Sequence, residues 1–195
     1  MTKSNTGPAS GWGNCVPHLP GDACMNPHVF GTPEYKSKVT AAAETLFAGF
    51  RDDEKAWEAV GETVHAQTAG GKSVNYGKFP NLRTAHAPSF IAAACPIIDG
   101  LVQIEKNSPH TPRYLAIPFG EGLYKRGQRF GRLKAPSVKN VVRVLAHRNW
   151  IELYAAGADE RGRSHSPRIR SLEPMVGWLI AADLLTGAEY GGIAA

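Results

Sequence analysis

Between Lys134 and Glu173 the hydrophobic period changes from that of a helix to that of a strand, and this change limits what the chain can fold into. The segment reads KAPSVKNVVRVLAHRNWIELYAAGADERGRSHSPRIRSLE. Val138, Val141, Val142 and Leu145 recur at i, i+3, i+4 and i+7 and make one apolar stripe on a helix. Pro136 suits the first turn of that helix, where its missing N–H costs nothing. On the other side Lys139, Arg143 and His147 are spaced four apart, with Asn140 beside them. The helix is expected to end near Asn149. Residues 150–154, Trp-Ile-Glu-Leu-Tyr, then alternate like a half-buried strand. A polar, Gly-containing loop from Ala158 to Ser166 follows, and Arg168 to Leu172 reads as the return strand.

Charge is concentrated in the same region. The whole chain carries +5, but Met1 to Phe119 holds 10 Lys and Arg against 10 Asp and Glu. Gly120 to Arg170 holds 12 cations against 4 acids, a net of +8, and Ser171 to Ala195 adds three acids with no Lys or Arg. A neutral body with one basic segment suggests a polyanion-binding surface. The plainer alternative is a solvated basic face that binds nothing.

The rest of the chain organises around this segment. Residues 1–33 are rich in Gly, Pro and Asn and read as an extended arm. Glu34 to Phe50 places Val39, Ala42, Ala43, Leu46, Phe47 and Phe50 on one helical face, with Pro33 at its start. Asp52 or Asp53 then caps a second helix that brings Trp57, Val60 and Val64 together. A loop from Thr68 to Pro80 contains Gly70-Gly71. Ala87 to Ile98 reads as a helix and Gly100 to Glu105 as a strand after it. That stretch aligns with the opening segment: Ala87-Pro88-Ser89 with Ala135-Pro136-Ser137, and Gly100–Ile104 with Asn149–Leu153. The match is either a weak internal repeat or chance among common residues. Pro174 to Leu185 is apolar and reads as a helix packing on the body or on a second copy of the chain, and residues 187–195 form a small tail.

Apolar helix, Asn-Trp-Ile-Glu, basic loop and alternating strand together resemble the winged helix-turn-helix proteins, of the plasmid or phage replication initiator and regulator type. The resemblance covers roughly Gly120 to Leu185 and is one of pattern. It implies a mainly α fold with a small β component (α+β), built from one winged-helix unit or a degenerate tandem behind the arm. The units expected are an arm over 1–33, a helical domain or first winged-helix-like unit over 34–119, and a basic winged-helix unit with its C-terminal helix over 120–186. The function implied is binding of double-stranded DNA, with no enzymatic activity. Ser137 would open the reading helix, and Lys139, Asn140, Arg143 and His147 would face the major groove. Arg161, Arg163, His165 and Arg168 would lie on or near the wing and meet phosphates. Lys125, Arg126, Arg129, Arg132 and Lys134 would add backbone contacts at the approach to the helix. One departure is Gly127 and Gly131, which weaken any support helix in that connector. The alternative is a small subunit or inhibitor inside a larger nucleoprotein complex, docking protein or RNA with the same module. A homodimer through the C-terminal helix fits either role.

A second constellation lies in the arm. Cys15, His18, Cys24 and His28 form C-x2-H-x5-C-x3-H, four zinc-ligand types within fourteen residues. Thiolates and imidazoles suit tetrahedral Zn²⁺, though the spacing matches no standard finger. The readings are a structural zinc site or an arm with no cofactor. Three cysteines argue against a disulfide framework. The N-terminus lacks an apolar signal-peptide core, and no apolar run reaches the ~18 residues a membrane span requires. A cytoplasmic protein without a membrane partner is expected. No P-loop, G-x-S-x-G, H-E-x-x-H or G-x-G-x-x-G is present, and Cys95 reads as a core residue.

Overall fold

The structure, a computed structural model of the 195-residue chain, describes residues 23–25, 31–56, 87–107, 114–117, 133, 135–154, 157–158 and 164–187. It is mainly helical with a small antiparallel sheet. Helix α1, Pro33–Arg51, is started by Thr32, whose hydroxyl accepts from the Tyr35 amide at 3.2 Å, with Pro at the first helical position. Its buried face is the predicted one: Val39, Ala42, Ala43, Leu46, Phe47 and Phe50. Asp53 rather than Asp52 caps the next helical turn, accepting from the Ala56 amide at 3.0 Å, while Asp52 pairs with Arg51. Trp57, Val60 and Val64 lie outside the described residues.

Helix α2, Ala87–Asn107, passes through Pro96 and continues across the stretch expected to be a strand. Leu101, Val102 and Ile104 are buried on this helix, so the proposed repeat loses its strand half. By length and composition α2 could cross a membrane, but 61% of its most apolar window is buried inside the fold. It is the central core helix, in contact with α1 and, further along, with α3, Ala135–His147. Phe90 of α2 lies 5.3 Å from Phe47 and 5.6 Å from Phe50, centroid to centroid.

The main sheet has the order β1-β2-β6-β3. Its strands are β1, Ala23–Cys24; β2, Leu115–Ala116; β3, Ile151–Tyr154; and β6, Arg168–Ser171. β2, β6 and β3 are antiparallel, with Leu115 opposite Ile169 and Leu153 opposite Ile169 on the other side. β1 joins the edge in parallel, and the Met25 amide donates to the Ala116 carbonyl at 3.0 Å. The arm is therefore not wholly separate from the body: Met25 is 2% exposed and belongs to the core. The boundary expected at 119/120 is likewise crossed, because Leu115, Ile117, Ile151 and Ile169 share one hydrophobic cluster with α1, α2 and α3.

Gly100 explains how β2 reaches α2. A Cβ there would lie 2.7 and 2.8 Å from the two terminal carbons of Leu115. The last helix, α4, Glu173–Ala181, is shorter than expected: Leu184 and Leu185 are buried beyond its end, after a turn with Asp183 at φ 56°.

Candidate nucleic-acid interface

The predicted reading helix forms with a wider buried surface than one stripe. Val138, Val141, Val142 and Leu145 are fully buried, and so is Val144, which flanks them. The helix stops by a Schellman motif, with Asn149 in the left-handed region at φ 54°. The Trp150 amide donates back to the Leu145 carbonyl at 2.9 Å and the Asn149 amide to Ala146 at 3.0 Å. Asn tolerates this conformation better than most residues, which is why the helix ends where the sequence indicated.

The side chains opposite the core are less open than an isolated helix would present. His147 is exposed, whereas Lys139, Asn140 and Arg143 are half-buried. Burial pushes the Arg143 guanidinium down from its ordinary value. Ser137, at 9% exposure, is buried in the first turn and is not available as an outward contact.

Beyond the helix, β3 and β6 pair from Ile151–Ser171 to Tyr154–Arg168, and a second short ladder extends the hairpin. Here β4, Gly157–Ala158, lies antiparallel to β5, Ser164–His165. His165 is thus placed on the hairpin opposite Gly157. Arg161 and Arg163, together with Lys125, Arg126, Arg129, Arg132 and Lys134, lie outside the described residues.

Arg168 does not take the place expected of it. It is 2% exposed, held in the middle strand between Ala116 of β2 and Tyr154 of β3. Paired on both sides and buried, Arg168 belongs to the sheet rather than to an exposed wing. Arg170, two residues on and therefore on the same face, pairs with Glu152 directly across the ladder and lies 5.8 Å over the Tyr114 ring. Tyr114 meets Tyr154 edge-on at 5.1 Å. Burial, then hydrogen bonding to Glu152 and Tyr114, pushes the Tyr154 phenol well up. On this face of the sheet Arg170, Glu152, Tyr114 and Tyr154 are linked by an ion pair and ring contacts.

The sequence reading passed over Arg148. Its Nη2 donates to the Gly49 carbonyl at 2.7 Å, and its guanidinium lies 5.4 Å from the Trp150 ring centroid. Trp150 in turn packs on Trp178 of α4 at 5.3 Å. Asp99 was also passed over: it is 3% exposed inside α2 and accepts from the Tyr35 hydroxyl at 2.9 Å. Neither role has a local signal, because each partner is distant in sequence.

Of the four zinc-type residues only Cys24 is described, in β1, where its backbone pairs with Ala116. Among the described residues no group of three or more His, Cys, Asp or Glu is assembled to hold a metal. Cys95 is half-buried against the core, and burial pushes its thiol up. Comparison with known protein families, curated proteins and solved structures yields no match to this chain.

Proposed function

We propose that the chain binds double-stranded DNA through a winged helix-turn-helix, as a plasmid or phage replication initiator or regulator does. The observation that carries this reading is the order of the elements and of the sheet. α2 precedes β2, α3 precedes the β3–β6 hairpin, and β2 pairs with β6 rather than with β3. A winged helix would use such an order, with its support helix in the connector before α3, outside the described residues, and with the β3–β6 hairpin as its wing. It falls where the chain is most basic, 12 Lys and Arg against 4 acids over 120–170. In the proposed mechanism the basic segment docks on the phosphates, and Lys139, Asn140, Arg143 and His147 then meet base edges. The role is binding and not catalysis.

The test is fluorescence anisotropy with random-sequence duplex DNA, single-stranded DNA and RNA over a salt series. Duplex binding with a dissociation constant of roughly 1–100 µM, falling steeply with salt, is expected. No binding to any nucleic acid at low salt refutes the reading.

The half-burial of Asn140 and Arg143 favours a second reading, in which the same module docks protein or RNA within a larger nucleoprotein complex. It predicts weak duplex binding that Arg143→Ala leaves unchanged.

A further inference from the structure

Arg148 stands in the most basic part of the chain, one turn beyond Val144 and directly after the reading helix. By sequence alone it would join the phosphate contacts. Its surroundings point elsewhere. The carbonyl it binds, Gly49, belongs to the last turn of α1, where carbonyls have no partner within the helix. The C-terminal end of a helix carries a partial negative charge, which attracts a guanidinium and repels an anion. On its other side the guanidinium lies over Trp150, whose ring packs on Trp178. A phosphate approaching Arg148 would have to compete with the α1 carbonyl.

We propose that Arg148 is a positioning residue that fixes the end of the reading helix α3 against α1 and α4 and makes no phosphate contact. The proposal rests on the DNA-binding reading above. Through Arg148 the orientation of α3 depends on α1, whose Gly49 lies 99 positions earlier in the chain. The unit that presents α3 to a duplex therefore includes α1 as well as α2, the sheet and α4.

The experiment compares full-length wild type, Arg148→Ala, Arg148→Lys and Arg132→Ala in duplex anisotropy over a salt series, with near-UV circular dichroism of each protein. If Arg148 positions α3, Arg148→Ala weakens duplex binding several-fold at every salt concentration and leaves the log–log salt slope unchanged. Its near-UV tryptophan signal also changes, because Trp150 loses the group lying over it. Arg148→Lys keeps the cation and a donor for the Gly49 carbonyl, so it falls between wild type and Ala and serves if the Ala variant fails to fold. Arg132→Ala, at a position proposed to meet the phosphate backbone, is the control that loses about 0.9 of slope, as each lost phosphate contact should. A slope loss of about 0.9 in Arg148→Ala with an unchanged tryptophan signal overturns the proposal. So does unchanged affinity. Wild-type protein that binds no nucleic acid refutes the DNA reading itself, and the positioning role falls with it. Wild-type binding with either of the two preceding results refutes positioning alone.

Discussion

The contact between Gly100 and Leu115 offers the sharpest test of the fold, because it joins α2 to β2. A Cβ on Gly100 would sit 2.7 and 2.8 Å from the terminal carbons of Leu115, which is itself fully buried. Overpacking of this kind costs about 1–3 kcal/mol. Replacing a mid-helix Gly by Ala recovers about 1 kcal/mol of helix propensity. Gly100→Ala should therefore destabilise the protein by about 0–2 kcal/mol. Leu115→Ala alone removes a buried side chain and should cost about 2–5 kcal/mol. In that background the overlap is gone, and the new methyl partly fills the space left by Leu115. Gly100→Ala should then stabilise by about 1 kcal/mol, reversing its sign. The coupling between the two sites is thus about 1–3 kcal/mol, well above the error of additivity. Urea unfolding of the four proteins, followed by far-UV circular dichroism, measures it. If the two substitutions add within about 0.5 kcal/mol, α2 and β2 do not meet at Gly100.

Other outcomes follow from buried polar groups. Tyr35→Phe leaves the buried Asp99 without the donor at 2.9 Å and should cost about 1–3 kcal/mol in chemical unfolding. The Tyr35 phenol is pushed up, by burial first and by Asp99 second, so its contribution is complete below the ordinary tyrosine pKa of about 10 and is lost as pH rises through the folded value. Thermal unfolding of wild type should therefore weaken at alkaline pH above that point, and less so in Tyr35→Phe; equal alkaline losses would contradict the assignment. Tyr154, raised in the same direction, leaves a residual fall in both proteins. Arg168→Ala should lower stability without changing the salt slope of duplex binding, since Arg168 is 2% exposed within the sheet. A slope loss of about 0.9 with unchanged stability would place Arg168 on the nucleic acid after all.

Local periodicity made much of the framework legible. The α1 stripe, the α3 stripe, the stop at Asn149 and the β3–β6 hairpin are all decided by residues within a few positions of one another. Long-range pairing was not legible in the same way. Gly100–Ile104 looked like a strand because a short apolar run with a leading Gly has no period of its own to separate helix from strand. Its true state is decided by burial against α1, α3 and β2, all distant in sequence. β1 and β2, two residues each, are too short for alternation to register. The same limit applies to the site. Spacing put Lys139, Arg143 and His147 on one side of α3, but it could not register the half-burial of Lys139, Asn140 and Arg143. Nor could it separate an arginine on a wing from one inside a three-stranded ladder, which is the difference between the role expected of Arg168 and its place.

That difference changes what the charge of the basic segment can do. Taken at face value, the 12 cations of residues 120–170 would give a salt slope of about −11 if each met a phosphate. Three of them are committed within the fold. Arg148 holds the Gly49 carbonyl, Arg168 is buried in β6, and Arg170 faces Glu152 across the ladder. At most nine remain, for a slope no steeper than about −8. Even that ceiling is generous, because Arg143 is half-buried. Among the described residues, the Lys and Arg proposed to meet the duplex are Lys139 and Arg143 of α3, and their proposed contacts are to base edges. Most of the proposed electrostatic contact therefore rests on Lys125, Arg126, Arg129, Arg132 and Lys134 before the reading helix, and on Arg161 and Arg163 between the strands of the hairpin. In this division of labour the arginines of α3's end and of β6 shape the surface, while those on either side of them supply its charge.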